Sequence, residues 1–377
     1  MKTMIGAYGP WVENLLPKVA GRLSLQNCPP AELPARRAAA RSRVHELIAS
    51  PNLPAPRTTM LRQWEYDGLA IEEIAWTQPA GAPTHAFVLK PANAQGRLPG
   101  VLAMHDHAGF KFFGKEKIAQ TSDDVHPLVV EHRAEAYEGL AWPNELAKRG
   151  YVVMVPDAFA FGSRRMRLAH LSEDVRWGLK DDADESPAGV VAYNDWAAKH
   201  EHIMAKSLFS AGTTWPGVFF AEDRVALDVF CARDDVDVNR IGVGGLSGGG
   251  LRTNFLSGLD DRVKCAVSVG MMTTWRDLLL SKCFIHTWMC YVPLLPPDLD
   301  FSEIIGLRAP LPSLVQVTRD DPLFSVEGME AGLENLRRVY ACAGAEEKFR
   351  GSWYPGHHQF NRAMQAEAFD WFERWLG

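Results

Sequence analysis

No two cysteines stand at Cys-x-x-Cys spacing. The six present (Cys28, Cys231, Cys265, Cys283, Cys290 and Cys342) are scattered singly along the chain. That excludes a zinc ribbon or a thioredoxin-like motif and fits unpaired thiols in a reducing compartment. No run of about 18 apolar residues exists, so no membrane-spanning helix is expected. Residues 292–297 are apolar but broken by prolines. Residues 1–10 carry one lysine and lack the apolar stretch of a secretory signal peptide, so the cytoplasm is the expected location. Basic charge is not in excess either. Forty Lys and Arg stand against 46 Asp and Glu, a net charge of -6, which argues against nucleic acid or an anionic membrane as partner. The local exception is Arg36, Arg37, Arg41 and Arg43, whose spacing suits a solvated helix face. Internal repeats and low-complexity segments are also missing.

What is present describes a large globular core. At 377 residues and 47% hydrophobic content, the chain suits one big domain with insertions or two ordinary ones. Residues 1–60 read as a helical leader, with helical spacing over 11–20 and 32–48. It would pack on the main domain or on a second copy of the chain, which leaves a homo-oligomer open. Residues 61–377 read as the main domain. A hairpin is expected over 61–66 and 69–77 around Asp67-Gly68, with a third strand over 85–90. Strands then alternate with helices: strand 101–104, helix 137–149, strand 151–157, helix 222–232, a strand entering residue 247, strand 263–269, strand 313–318, helix 327–342, strand 348–353 and helix 362–375. Two stretches, about 163–218 and 271–311, interrupt this rhythm as insertions. The pattern predicts an α/β fold with a doubly wound, mostly parallel sheet, helices on both faces and an antiparallel start.

The most informative stretch is Gly245-Leu246-Ser247-Gly248-Gly249. An apolar run enters it and a helix-compatible run leaves it. Gly-x-Ser-x-Gly in that setting is the sequence of a nucleophile elbow, which lifts a serine above the sheet at the start of a helix. The Gly248 amide would then face an anionic intermediate.

Serine is a weak nucleophile at neutral pH and needs a base, and the base needs an orienting group. Acidic and histidine doublets follow in the required order, each just after a strand. These are Asp320-Asp321 and His357-His358. Order alone does not choose within either doublet: Asp320 could equally cap the turn, and His357 could line the mouth of the pocket. A second oxyanion donor is expected from His105-Asp106-His107-Ala108-Gly109, with the His107 amide first and that of Asp106 second. His105 reads as a loop anchor. Asp157 reads as a loop-fixing residue paired with an arginine, and Asp260-Asp261 as solvated. His105-x-His107, His200-x-His202 and the group His126, Glu131 and His132 lack the further ligands a metal site needs, so no metal is expected. Gly242-Val243-Gly244 has no P-loop lysine near it and no helix opening on it, so no nucleotide cofactor is expected.

These motifs resemble the α/β-hydrolases, in particular the group of bacterial serine hydrolases similar to dienelactone hydrolase and acetyl xylan esterase. The resemblance covers about residues 60–377. It rests on His105–Gly109 with Lys111 and Gly114-Lys115-Glu116-Lys117, on Pro156-Asp157 with Phe161-Gly162-Ser163-Arg164, on Gly212-x-Thr214-x-x-Gly217, and on the Ser247, Asp321 and His358 segments. Thr318-Arg319-Asp320-Asp321-Pro322-Leu323-Phe324 resembles the Gly-x-x-Asp-x-Leu-Phe loop of that group, and His358-Gln359-Phe360 its His-x-Phe ending. The loop at Asp106 departs from the His-Gly-x-Gly-Gly of esterases. Dienelactone hydrolases proper use a cysteine where this chain has Ser247.

The resemblance implies a serine carboxylic-ester hydrolase acting on a small-molecule or saccharide ester through an acyl-enzyme, with Ser247, His358 and Asp321 as triad and Gly248 and His107 as oxyanion donors. An amide or peptide hydrolase on the same triad, and a binding module that keeps only the fold, are the alternatives. Trp215, His286 and Trp288, and after them Phe219 and Tyr291, are candidate pocket walls.

Overall fold

The computed structural model describes residues 3–377. Nine strands build one sheet: β1 (Thr58–Tyr66), β2 (Leu69–Trp76), β3 (Thr84–Pro91), β4 (Leu98–Met104), β5 (Val152–Pro156), β6 (Val236–Leu246), β7 (Cys265–Val269), β8 (Ser313–Thr318) and β9 (Phe349–Tyr354). Their spatial order is β1-β2-β3-β5-β4-β6-β7-β8-β9. The first three pairings are antiparallel and the remaining five parallel. The hairpin turns on Asp67-Gly68, both at positive φ (51° and 76°), the conformation that makes Asp-Gly a two-residue turn.

Alternate side chains of the parallel strands feed two cores, because successive Cβ atoms leave a strand on opposite faces. Leu102 and Met104 of β4 join Val152 and Met154 on one face; Val101 and Ala103 join Val153 and Val155 on the other. The first face is covered by the helices Leu33–Ile48, Trp215–Cys231, Gly248–Leu259 and Val326–Cys342. The second is covered by Pro127–Tyr137, Trp142–Lys148 and Arg362–Leu376. Covered twice, these strands are apolar almost throughout, which is why they read as short unbroken hydrophobic runs.

Several expected boundaries move. The strand placed at 61 begins at Thr58, and the leader helix expected over 11–20 is only Gly9–Glu13. The leader does not stand apart, since Leu25, Val44 and Ile48 are buried in the first core. The helix expected over 137–149 begins only at Trp142, because Tyr137 ends a separate helix, Pro127–Tyr137, that was not expected, and Glu138 and Gly139 after it both take positive φ. The insertion at 163–218 contains the 25-residue helix Pro187–Ala211, capped by Ser186, and the start of the helix Trp215–Cys231, capped by Thr214, which begins earlier than the 222 expected.

The arginine cluster is not a solvated face. Arg37 donates to the Ala309 carbonyl, Arg41 forms a fork on Asp261, and Arg43 bonds Asp298, so the leader helix is tied to loops of the main domain by its cations. Asp261 is thereby paired, and Asp260 holds Arg262.

Candidate active site

The carboxyl ends of β4, β6, β8 and β9 meet at one open cavity of about 760 Å³. In open α/β sheets this is where loops from different strands converge and side chains are free of the ladder. Ser247 closes β6 and caps the 12-residue helix Gly248–Leu259, with φ 59° and ψ -118°. Its amide is fixed by the Val269 carbonyl at 2.8 Å. The glycines behind it allow a close approach. A Cβ on Gly249 would lie 2.1 Å from the Met104 carbonyl oxygen, so no other residue fits there without moving β4. A Cβ on Gly248 would lie 2.9 Å from the His107 amide nitrogen, which puts the backbone of the His107 loop directly against the first turn of the helix.

On the other side, His358 follows β9 and Asp321 follows β8. The His358 Nδ1–H donates to Asp321 Oδ2 at 2.6 Å, and Asp321 Oδ1 accepts the Leu323 amide at 2.9 Å. The Asp321 carboxylate is fully buried. His358 Nε2 is buried and has no hydrogen-bond partner among the described residues. The ring rests on Gly270, where a Cβ would come within 2.8 Å of it. Ser247 and His358 both line the cavity.

The doublets therefore separate by geometry. Asp320 Oδ2 accepts the Gly356 amide and pins the turn that carries the histidines, whereas His357 Nε2 donates to the Glu135 carbonyl.

The loop after β4 is held by charge. Asp106 is buried. Its Oδ1 accepts from the Tyr137 hydroxyl at 2.5 Å and from His132 Nε2 at 3.1 Å, and Lys117 Nζ lies 3.3 Å from Oδ2. Burial alone would raise the Asp106 carboxyl, but His132 and Lys117 outweigh it and hold it well below the usual range. This explains the departure from a glycine at that position: the carboxylate is a buried anchor for the loop. Both His105 ring nitrogens are engaged as well, Nδ1 on the Asp106 carbonyl and Nε2 on the Ala158 amide, and burial keeps the ring neutral. Asp157 does fix a loop, but its cation is a lysine. It accepts the Lys115 and Ser163 amides and pairs with Lys115 Nζ at 3.1 Å, while Arg164 pairs with Glu222 instead.

One residue was missed. Glu201, on the helix Pro187–Ala211, lies on the cavity wall. Its Oε1 accepts from His107 Nε2 at 2.7 Å and Lys111 Nζ at 2.5 Å. Its Oε2 accepts from the Thr287 hydroxyl at 2.9 Å and the Trp288 amide at 3.4 Å. Burial opposes the charge, but His107 and Lys111 hold the carboxyl far below its ordinary value. The only sequence signal was a glutamate flanked by histidines inside a long helix.

Of the proposed walls, His286 lines the cavity and donates from Nε2 to the Leu323 carbonyl at 2.9 Å. Trp215 and Trp288 do not line it. Trp215 is fully buried under Lys111 and edge-on to Phe159, because its helix enters the core at its first residue. Trp288 is turned by its short 3-10 helix toward Phe209, on the outer side of the insertion. Phe219 packs in the core on Phe255.

No protein-family model matches the chain. Among curated proteins, "Putative hydrolase YtaP" of Bacillus subtilis is 27% identical over 292 residues, 77% of this chain and 83% of that protein. Among solved structures, "a putative acetyl xylan esterase" from Bacteroides fragilis superposes with a TM-score of 0.69 at 16% identity, covering 94% of this chain and 83% of the other. A glucuronoyl esterase from Solibacter usitatus superposes with a TM-score of 0.62 at 14% identity, over 97% and 100% of the two chains. At these identities the likeness is one of architecture: the chain has the α/β-hydrolase fold that its motifs resemble.

Proposed function

We propose that the protein is a serine carboxylic-ester hydrolase. One observation carries this reading. A buried carboxylate orients a histidine at 2.6 Å, the far nitrogen of that histidine is unpartnered, and the ring shares a cavity with a serine at a helix N-terminus.

In this reading Ser247 Oγ attacks the ester carbonyl and His358 Nε2 takes its proton. Asp321 fixes the tautomer and stabilises the imidazolium. The Gly248 and His107 amides receive the oxyanion, a role supported by the contact between their backbones. His358 then returns the proton to the leaving alcohol, and a water activated by the same nitrogen releases the acyl group. Ser247 Oγ and His358 Nε2 share no hydrogen bond here, as is common in ligand-free sites where the bond tightens on binding.

The cavity also bears on the substrate. Met271, Phe284, Ile285 and Leu323 supply apolar lining suited to the acyl chain. His132, Glu135, Glu201 and His357 also line the cavity, and no lysine or arginine lines it among the described residues. The side chains thus favour an uncharged ester with a hydroxyl-rich alcohol. The acetyl xylan and glucuronoyl esterases among the structural neighbours favour a saccharide ester.

The test is hydrolysis of p-nitrophenyl acetate through octanoate by wild type and Ser247→Ala, with fluorophosphonate labelling of both. Loss of about 10³-fold or more in the variant, with labelling only of the wild type, is expected. Equal rates in the two proteins would remove Ser247 as nucleophile.

A further inference from the structure

Resting on that reading, we infer that Glu201 is a positioning residue for the oxyanion hole, joining the His107 loop to the second insertion through a single carboxylate. All four of its acceptor positions are taken, two by the loop after β4 (His107 and Lys111) and two by the insertion (Thr287 and the Trp288 amide).

The protonation state of His107 follows from its partners. The Gly109 amide donates to His107 Nδ1 at 2.9 Å, so Nδ1 is bare and the proton sits on Nε2, aimed at Glu201. The ring is thus held at both nitrogens, one by its own loop and one by Glu201. The amide of the same residue lies against Gly248. A donor aimed at an oxyanion is effective because it need not reorganise when charge develops, so its value depends on what holds it still. Among the described residues, Glu201 is the only link by which the Pro187–Ala211 helix and residues 287–288 together hold that imidazole.

The clamp is costly to assemble and hard to replace. A buried carboxylate and a buried ammonium stabilise one another only with good geometry and filled lone pairs. Here burial pulls Lys111 down from its ordinary value while Glu201 keeps it paired. Phe161 and Trp215 lie beneath the ammonium as well, at 5.9 and 5.3 Å. Such an investment beside the reacting centre, rather than in the core, is the reason to assign it to positioning.

The experiment compares wild type, Glu201→Gln and Thr287→Val. The number of working sites in each is counted by fluorophosphonate titration. Turnover of p-nitrophenyl acetate and inhibition by trifluoroacetophenone, whose serine adduct carries an oxyanion, are then measured per working site. Glu201→Gln is expected to lower kcat about ten- to a hundredfold, less than outright loss of a donor. KM should stay within about threefold, and inhibitor affinity should fall by the same factor as kcat/KM. Thr287→Val, which removes one contact from Oε2 and keeps every charge, is expected to move both quantities together by about threefold.

If the number of working sites falls while kcat per site and inhibitor affinity hold, Glu201 only supports the fold and the inference is overturned. Should Glu201→Gln not fold, Glu201→Gln with Lys111→Met removes the pair together, and Thr287→Val stands regardless. Unchanged kcat per site in either overturns the inference. Turnover by Ser247→Ala at the wild-type rate would instead sink the esterase reading on which it rests.

Discussion

Replacing Ser247 by glycine should stabilise the protein relative to replacing it by alanine, although both abolish the proposed activity. The backbone at Ser247 has φ 59° and ψ -118°, a region that residues with a Cβ seldom occupy. Holding a non-glycine residue there costs of order 1–3 kcal/mol. The Ser247→Ala variant keeps that cost, because alanine has the same backbone restrictions. The Ser247→Gly variant sheds it but loses about 0.4–1 kcal/mol through the greater freedom of glycine in the unfolded chain. The two terms have opposite signs, and the strain is the larger. The glycine variant should come out ahead of the alanine variant by about 1 kcal/mol. Equilibrium urea unfolding of the two variants and wild type at 25 °C reads this. With an m-value of about 3 kcal/mol/M or more for a chain of this size, the midpoints differ by about 0.3 M or less, so replicate curves are needed. If the glycine variant is instead the less stable by the amount chain entropy alone dictates, the elbow is unstrained, and the argument that the fold spends stability to present this serine fails.

Two further outcomes follow from buried or facing charge. Burial would raise the Asp157 carboxyl, but Lys115 and two backbone amides bring it down to about 2, from an ordinary value of 3.8. A group depressed on folding contributes stability above its unfolded pKa and loses it as pH falls through the folded one. Asp157→Asn should therefore cost about 2 kcal/mol at pH 7, and the gap to wild type should close between about pH 4 and pH 2 in urea titrations. A gap that is constant with pH would mean that the Asp157–Lys115 pair contributes nothing through charge. Glu135 is exposed on the cavity wall. Wild type should prefer p-nitrophenyl acetate to mono-p-nitrophenyl succinate, and Glu135→Lys should narrow that preference several-fold at low salt and less at high salt. An unchanged ratio would remove charge as a determinant of substrate choice.

What the sequence made legible was local. The elbow was readable because its glycines are needed within a few residues of Ser247, and the hairpin because Asp67-Gly68 is a two-residue signal. The central strands β4, β5, β7 and β8 were readable because they are buried on both faces. The helix Pro127–Tyr137 was missed for an equally local reason. It is capped by His126, whose Nδ1 accepts the Leu128 amide, where serine, threonine, aspartate or asparagine would have marked a start.

The remainder lay beyond local reading. Arg37, Arg41 and Arg43 have the spacing of a solvated face, and nothing nearby says that their partners are Ala309, Asp261 and Asp298, more than 200 residues on. Glu201 is the same case at the cavity. Its partners His107 and Thr287 are 94 and 86 residues away in opposite directions along the chain, and only the folded chain brings them together. The two kinds of residue divide by what they do. Groups that would make and break bonds must stand at strand ends, so they leave motifs at fixed places in the order of the chain. Groups that would hold those residues still can come from any element the fold brings near, so they leave none. In a site of this kind the sequence announces the chemistry, and the supports that set its efficiency must be found in the packed structure.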